Sequence, residues 1–157
     1  ADSNERLVRQ HLLRNRAAVA RFVPLKTAAT SVEAGLPDTQ AALASLPWPA
    51  TVTVLGMGGD GHTASLFPQS AEWPDAWQTS HRCLPVGVPA LPNVQLERIS
   101  LTPATLLDAE HIVLHCTGQA KWPLIEKALQ PGPIEALPVR LLLRQERVPV
   151  HVFYSGS

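Results

Sequence analysis

Residues 51–62 read TVTVLGMGGDGH, and this stretch decides the expected fold. Its first part, residues 51–55, is a run of β-branched and aliphatic side chains, which is typical of a strand buried in a parallel sheet. The run stops at a cluster of glycines, as a parallel strand stops at its carboxyl end. Because ligands of parallel sheets gather at the carboxyl ends of strands, we expect the functional site to lie in this cluster.

Strands and helices alternate along the rest of the chain. The other predicted strands are 21–25, 98–101, 111–116 and 148–154, the first of them at a sheet edge because it contains Pro24. The first predicted helix starts at Asp2 or Ser3, and further helices are predicted over 39–46, 103–107, 119–130 and 137–143. Loops are predicted at 35–38 and at 70–95, a proline-rich stretch with at most one short strand. This order predicts an α/β fold with a mostly parallel sheet covered by helices on both faces.

The composition excludes several classes of protein. Lys and Arg number 13, as do Asp and Glu, so the chain carries no net field to collect nucleic acid or an anionic membrane surface. The apolar stretches are interrupted well before the length of a transmembrane helix. Cys83 and Cys116 form neither a disulfide framework nor a metal or redox pair, which favours a reducing, cytoplasmic location. With 157 residues, we expect one domain over residues 1–157.

The glycine cluster fits the G-x-G-x-x-G pattern of a dinucleotide loop literally, but its surroundings do not. Such a loop opens a full crossover helix and has an acid about 20 residues on, whereas Pro68 follows soon after Gly61 and a proline-rich loop comes next. Ser65 lacks the turn of a nucleophile elbow. Asp60 and His62 have no third or fourth ligand close in sequence, so we expect no metal.

Asp60 and His62 flank Gly61 and form a natural acid–base pair. Neutral imidazole accepts a proton near pH 7, and a nearby carboxylate orients the ring and stabilises its charged form. Gly58, Gly59 and Gly61 let the backbone turn sharply, with amide N–H groups available to an anionic or carbonyl oxygen. A tight turn without a ligand is the alternative interpretation of the same glycines.

The longest distinctive stretch is VLGMGGDGHTASLFP at residues 54–68, and it resembles the signature of the 6-phosphogluconolactonases. The resemblance extends through DSNERL at residues 2–7, RISLT at 98–102 and TGQAK at 117–121. It implies a sugar-phosphate-isomerase-like α/β fold. It also implies hydrolysis of 6-phospho-D-glucono-1,5-lactone to 6-phospho-D-gluconate in the oxidative pentose phosphate pathway, with no metal or organic cofactor.

The resemblance also implies roles for individual residues. His62 is the general base for water, Asp60 orients it, and amides of the glycine loop are candidates for the oxyanion. Lys121 lies in the first turn of the helix predicted after Gly118, where its ammonium and the helix N-terminus both favour a phosphate. Arg98, at the start of a predicted strand, adds a planar guanidinium to the same group.

Two other functions stay open. The glucosamine-6-phosphate deaminases have a similar loop, but they place a glutamate shortly after the histidine, and here the first acid after His62 is Glu72. A non-catalytic sugar-phosphate-binding domain is the other alternative. The resemblance further implies that a first β-α unit with a phosphate loop is missing ahead of Ala1, which would leave an apolar edge and face of the sheet uncovered. We expect the full-length enzyme to be a monomer.

Overall fold

The computed structural model describes residues 4–87 and 97–157. The strands in these residues are β1 (Ala50–Gly56), β2 (Cys83–Gly87), β3 (Glu97–Leu101), β4 (Ala109–Thr117) and β5 (Val150–Ser155). A three-stranded parallel sheet has the order β1-β4-β5, and a separate two-stranded antiparallel sheet pairs β2 with β3. The α/β class and the parallel central sheet predicted from the sequence are confirmed.

The helices are short, with one exception. They are α1 (Asn4–Leu7), α2 (Val32–Ala44), α3 (Trp73–Gln78), α4 (Pro103–Leu106), α5 (Trp122–Leu129) and α6 (Arg140–Leu143). A π-helical turn over Val8–Leu12 continues α1, and 3-10 turns cover Asn15–Val19 and Gln119–Lys121. None of the helices within the described residues has the length and apolar character needed to cross a bilayer.

The core lies on one face of the parallel sheet. Ile112 and Leu114 of the central strand β4 are fully buried there, together with Leu106 of α4, Ile125 of α5 and Leu142 of α6. The two crossovers that join the parallel strands therefore bring their helices to the same face. Each buried side chain of this size contributes roughly 1.5–3 kcal/mol to the stability of the fold through removal from water.

The opposite face of the parallel sheet is open in the described residues. Val54 of β1 and Phe153 of β5 are 67% and 58% exposed, and His111 and His115 of β4 lie exposed between these strands. Because successive residues of a strand point to opposite faces, these are the residues that alternate with the core positions.

Most predicted elements recur with shifted ends. The strand runs at 51–55, 98–101, 111–116 and 148–154 correspond to β1, β3, β4 and β5. Thr102 caps α4, since its Oγ1 accepts from the Thr105 N–H at 3.3 Å. The helix predicted over 119–130 divides into a 3-10 turn and α5, with Pro123 tolerated in the first turn of α5. The capping role predicted for Asp2 or Ser3 lies outside the described residues.

Two predictions in the first part of the chain are wrong. Residues 21–25 form no strand, and residues 35–38 lie inside α2, which includes Pro37. The helix forms across this proline because Ser31 caps its start, accepting from the Ala34 N–H at 3.2 Å, and because buried Thr39 ties it to the Leu25 carbonyl at 3.0 Å. Tertiary contacts therefore override the local preference of Gly35 and Pro37.

The stretch 70–95 was predicted to be a loop, and the structure describes it as far as residue 87. This described part contains more regular structure than predicted. It contains α3 as well as β2, the one short strand that was allowed for. Pro74 lies at the start of α3, where its missing N–H costs nothing. The helix predicted over 137–143 is likewise limited to α6, and its first residues form a turn instead.

Candidate active site

The loop after β1 is a tight turn closed by its own backbone. The Gly58 N–H donates to the His62 carbonyl at 2.8 Å, and the Gly61 N–H donates to the Gly58 carbonyl at 3.1 Å. Buried Thr63 fixes the far end, because its Oγ1 donates to the Gly56 carbonyl at 3.0 Å. The loop therefore starts and ends at the carboxyl edge of the parallel sheet, as the sequence predicts.

Asp60 and His62 form the pair expected from the sequence. The imidazole Nδ1 lies 2.6 Å from Asp60 Oδ1, and the same oxygen accepts the His62 backbone N–H at 3.0 Å. With Nδ1 directed at the carboxylate, the neutral ring carries its proton there and leaves Nε2 as a proton acceptor. The imidazole is 30% exposed, so it is held firmly on one side and accessible on the other.

The contact with His62 favours the ionised form of the Asp60 carboxyl group. Partial burial raises its pKa, but the hydrogen bonds and charge of His62 outweigh burial, and the net pKa lies below the usual 3.8. Lowering the pH thus removes this contact only when it passes below that value. The pair therefore places a carboxylate beside an imidazole, which suits a general base and its orienting group.

Lys121 lies against the glycine loop, although 64 residues separate it from Met57. Its Nζ donates to the Met57 carbonyl at 2.6 Å. Lys121 ends the 3-10 turn of Gln119–Lys121 and lies directly before α5, rather than in the first turn of a helix as the sequence predicts. The structure thus places this candidate phosphate ligand at the same loop as His62.

Arg98 of β3 approaches the site through an aromatic ring. Its guanidinium carbon lies 5.9 Å from the centre of the Phe67 ring, and that ring lies 4.8 Å from the imidazole of His62. The Ser65 N–H also donates to Ser100 Oγ of β3 at 3.2 Å. Strand β3 is therefore connected to the His62 loop by a backbone contact and by a side-chain stack.

The segment before α6 supports the turn from the other side. The Val139 N–H donates to the Gly61 carbonyl at 2.9 Å, and Leu137 packs onto Gly61 so closely that an added Cβ would lie 2.2 Å from its Cδ1. Gly61 has φ +84°, a conformation that favours glycine. Leu137 and Val139 also belong to the site, and the sequence does not predict them because nothing local distinguishes them from ordinary core residues. Phe67 lies within the distinctive stretch 54–68, but the sequence alone assigns it no role.

We expect Gly61→Ala to destabilise the fold more than Gly118→Ala. Gly118 also has a positive φ, +98°, but an added Cβ there meets nothing within 4 Å. Both substitutions carry the cost of a disfavoured backbone, roughly 1–3 kcal/mol, and only Gly61→Ala adds the overlap with Leu137. Urea denaturation measures both free energies of unfolding, and equal losses would contradict the supporting role of Leu137.

The two cysteines are not nucleophiles of this site. Both are free and buried, and burial raises the pKa of Cys83 to about 11. Burial also raises the pKa of Cys116, more than the nearby Lys121 ammonium lowers it. Among residues 4–87 and 97–157, no group of three His, Cys, Asp or Glu side chains is placed to hold a metal ion. The chemistry available at the loop is therefore that of the imidazole, carboxylate, ammonium and guanidinium groups.

The chain is similar to several known proteins. The sequence model of the family described as "Glucosamine-6-phosphate isomerases/6-phosphogluconolactonase" matches residues 1–151. A 6-phosphogluconolactonase of Mesorhizobium japonicum is 40% identical over 98% of this chain and 63% of its own length. A 6-phosphogluconolactonase of Pseudomonas aeruginosa is 44% identical over 92% of this chain and 60% of its own length. A crystal structure of a 6-phosphogluconolactonase from Shewanella baltica superposes with a TM-score of 0.90 at 41% identity, covering 98% of this chain and 65% of that one. The chain thus spans less than two thirds of the length of these relatives.

Proposed function

Because this chain belongs to the glucosamine-6-phosphate isomerase/6-phosphogluconolactonase family, we propose that its site hydrolyses 6-phospho-D-glucono-1,5-lactone to 6-phospho-D-gluconate, a step of the oxidative pentose phosphate pathway. The observation that carries the proposal is the 2.6 Å contact between His62 Nδ1 and Asp60 Oδ1. It produces an oriented imidazole with a free Nε2 at the carboxyl edge of the sheet. Hydrolysis of an ester needs such a base.

The proposed reaction starts with water bound at His62 Nε2. The imidazole takes one proton from the water as its oxygen attacks the lactone carbonyl carbon, and the Asp60 carboxylate stabilises the imidazolium that forms. The tetrahedral intermediate then collapses, the bond between the carbonyl carbon and the ring oxygen breaks, and the imidazolium returns the proton to that oxygen. The products are an open-chain carboxylic acid, which ionises, and the regenerated neutral His62.

The oxyanion of the intermediate needs a hydrogen-bond donor. The hydrogen bonds of the turn distinguish the three glycine N–H groups that could serve. The amides of Gly58 and Gly61 already donate to carbonyls of the turn. In the described residues the Gly59 N–H makes no such bond, and the space around this glycine is open. We therefore assign the Gly59 amide as the donor to the oxyanion, with Gly58 and Gly61 shaping the turn around it.

Lys121 and Arg98 are proposed to hold the 6-phosphate. One of the three N–H groups of the Lys121 ammonium donates to the Met57 carbonyl, which holds the ammonium beside the loop. The other two N–H groups can donate to phosphate oxygens. Arg98 supplies a planar pair of donors from the neighbouring strand. The two cations approach the loop from different elements, so together they select a substrate that is anionic at one end.

We expect Lys121→Ala and Arg98→Ala each to raise KM for the phosphorylated lactone about tenfold or more. A charged hydrogen bond is worth roughly 1.5–3 kcal/mol, which corresponds to this change. Hydrolysis of unphosphorylated glucono-1,5-lactone should change much less. Lys127→Ala is the matched control, because Lys127 is an exposed lysine on α5. Unchanged KM values in both variants would contradict the phosphate assignment.

The deaminase alternative has less support, since the first acid after His62 is Glu72, which lies before α3 and accepts the Gly87 N–H at 2.9 Å. Assays with the phosphorylated lactone and with glucosamine 6-phosphate separate the two functions. We expect accelerated lactone loss and no ammonia release; the reverse outcome would identify a deaminase.

The proposal includes a single domain over residues 1–157, no cofactor, a monomeric full-length enzyme and a cytoplasmic location.

A further inference from the structure

Phe67 is a buried residue next to the site loop. It is 5% exposed and lies outside the two contiguous clusters of buried apolar side chains in the described residues. Its ring lies against the imidazole of His62 and near the guanidinium of Arg98. One aromatic ring is therefore shared by two groups of the candidate site.

The backbone around Phe67 is fixed on both sides. The Leu66 N–H donates to the Thr63 carbonyl at 3.0 Å, and the Phe67 carbonyl accepts the indole N–H of buried Trp73 at 2.8 Å. The next residue, Pro68, restricts the chain further. The backbone that carries the ring is therefore held on both sides.

The two contacts with the ring are of the kinds that an aromatic face favours. The imidazole and the phenyl ring have centres 4.8 Å apart and are tilted by 50°, which is within the range of aromatic pairs. The guanidinium carbon of Arg98 lies 5.9 Å from the ring centre, within the range of a cation–π contact. Leucine would fill much of the same space but would provide neither interaction.

From this geometry we propose that Phe67 is a positioning residue, one ring that sets both the orientation of His62 and the place of Arg98. The inference rests on the proposed function. The ring couples the base that activates the attacking water to the cation that receives the phosphate at the other end of the substrate. Phe67 thereby determines the preference for phosphorylated over unphosphorylated lactone without touching the substrate.

The first test needs no turnover. Side-chain NMR of the ¹⁵N-labelled chain measures the order parameters of the His62 imidazole and of the Arg98 Nε–H in Phe67→Leu, because loss of the ring current alone shifts resonances but leaves side-chain order unchanged. Both order parameters are expected to fall. Phe22→Leu is the control, because Phe22 also carries an arginine over its ring, Arg9 at 4.9 Å, and is not a residue of the site. A fall at only one of the two site residues, or at neither, would overturn the coupling whatever the activity of the chain.

The second test is a double-substitution cycle on affinity for the product, 6-phosphogluconate, measured by calorimetry. Phe67→Leu is expected to weaken binding about threefold to tenfold in the native chain and less than twofold in Arg98→Ala, because the arginine that the ring positions is then absent. A merely structural role predicts equal losses in both backgrounds, and that result would overturn the proposal. If 6-phosphogluconate binds neither the native chain nor that chain joined to the unmatched part of a relative, the proposed function fails, while the NMR result still decides the inference.

Discussion

His62→Ala is expected to lower kcat for hydrolysis of the phosphorylated lactone at least about a hundredfold. General-base catalysis by a positioned side chain typically contributes a factor of roughly 10²–10⁴, and the oriented imidazole is the base of the proposed reaction. KM should change little, since the phosphate is held by Lys121 and Arg98. The measurement is the initial rate of acid release, corrected for spontaneous hydrolysis.

His11→Ala serves as the matched control for this variant, because His11 is exposed in the π-helical turn after α1. Its kcat should equal that of the native chain. Near-native turnover in His62→Ala, well above the spontaneous background, would remove His62 from the reaction, and the assignment of Asp60 as its orienting group would go with it.

Gly58→Ala should reduce kcat nearly as much as His62→Ala, although no catalytic group is removed. A Cβ at Gly58 would lie 2.1 Å from His62 Nδ1 and 2.6 Å from Asp60 Oδ1, so the imidazole or the carboxylate must move and their hydrogen bond must break. We expect a loss of about a hundredfold, the size of a general-base contribution. The midpoint of urea unfolding, measured in parallel, separates displacement of the pair from loss of the fold.

Gly56→Ala, at the last residue of β1 directly before the loop, is the control for this substitution. Its Cβ would meet only the His115 carbonyl, at an ordinary contact distance of 3.8 Å. We expect kcat within about twofold of native for Gly56→Ala. An equal loss in both alanine variants would mean that the loop fails as a whole, and a native rate in Gly58→Ala would mean that the close fit to His62 and Asp60 has no catalytic role.

The parallel strands and the site loop were predictable because their signals are local. A β-branched run followed by glycines marks β1, a similar apolar run marks β4, and Asp60 and His62 are close enough in sequence to meet on any tight turn. The elements that were wrong have misleading local signals. Pro37 lies within α2 and Pro74 starts α3, and both helices depend on partners that the local pattern does not show.

The rest of the site could not be predicted because it depends on pairs of residues far apart in the chain. The Lys121 ammonium reaches Met57, the Val139 amide reaches Gly61, and Arg98 reaches Phe67. No periodicity or spacing within one segment reports such contacts. The resemblance implied that Lys121 and Arg98 bind phosphate, but it gave no indication of the groups that hold them in place.

The central claim is that this chain contains a lactonase site built on His62. The direct measurement is the rate of loss of 6-phospho-D-glucono-1,5-lactone in buffer, with the 157-residue chain, and with that chain joined to the unmatched part of one of its relatives. We predict catalysis above the buffer rate, in the joined protein at the least, and its loss in the same protein carrying His62→Ala. Rates equal to buffer in both forms, or rates unaffected by His62→Ala, would contradict the claim.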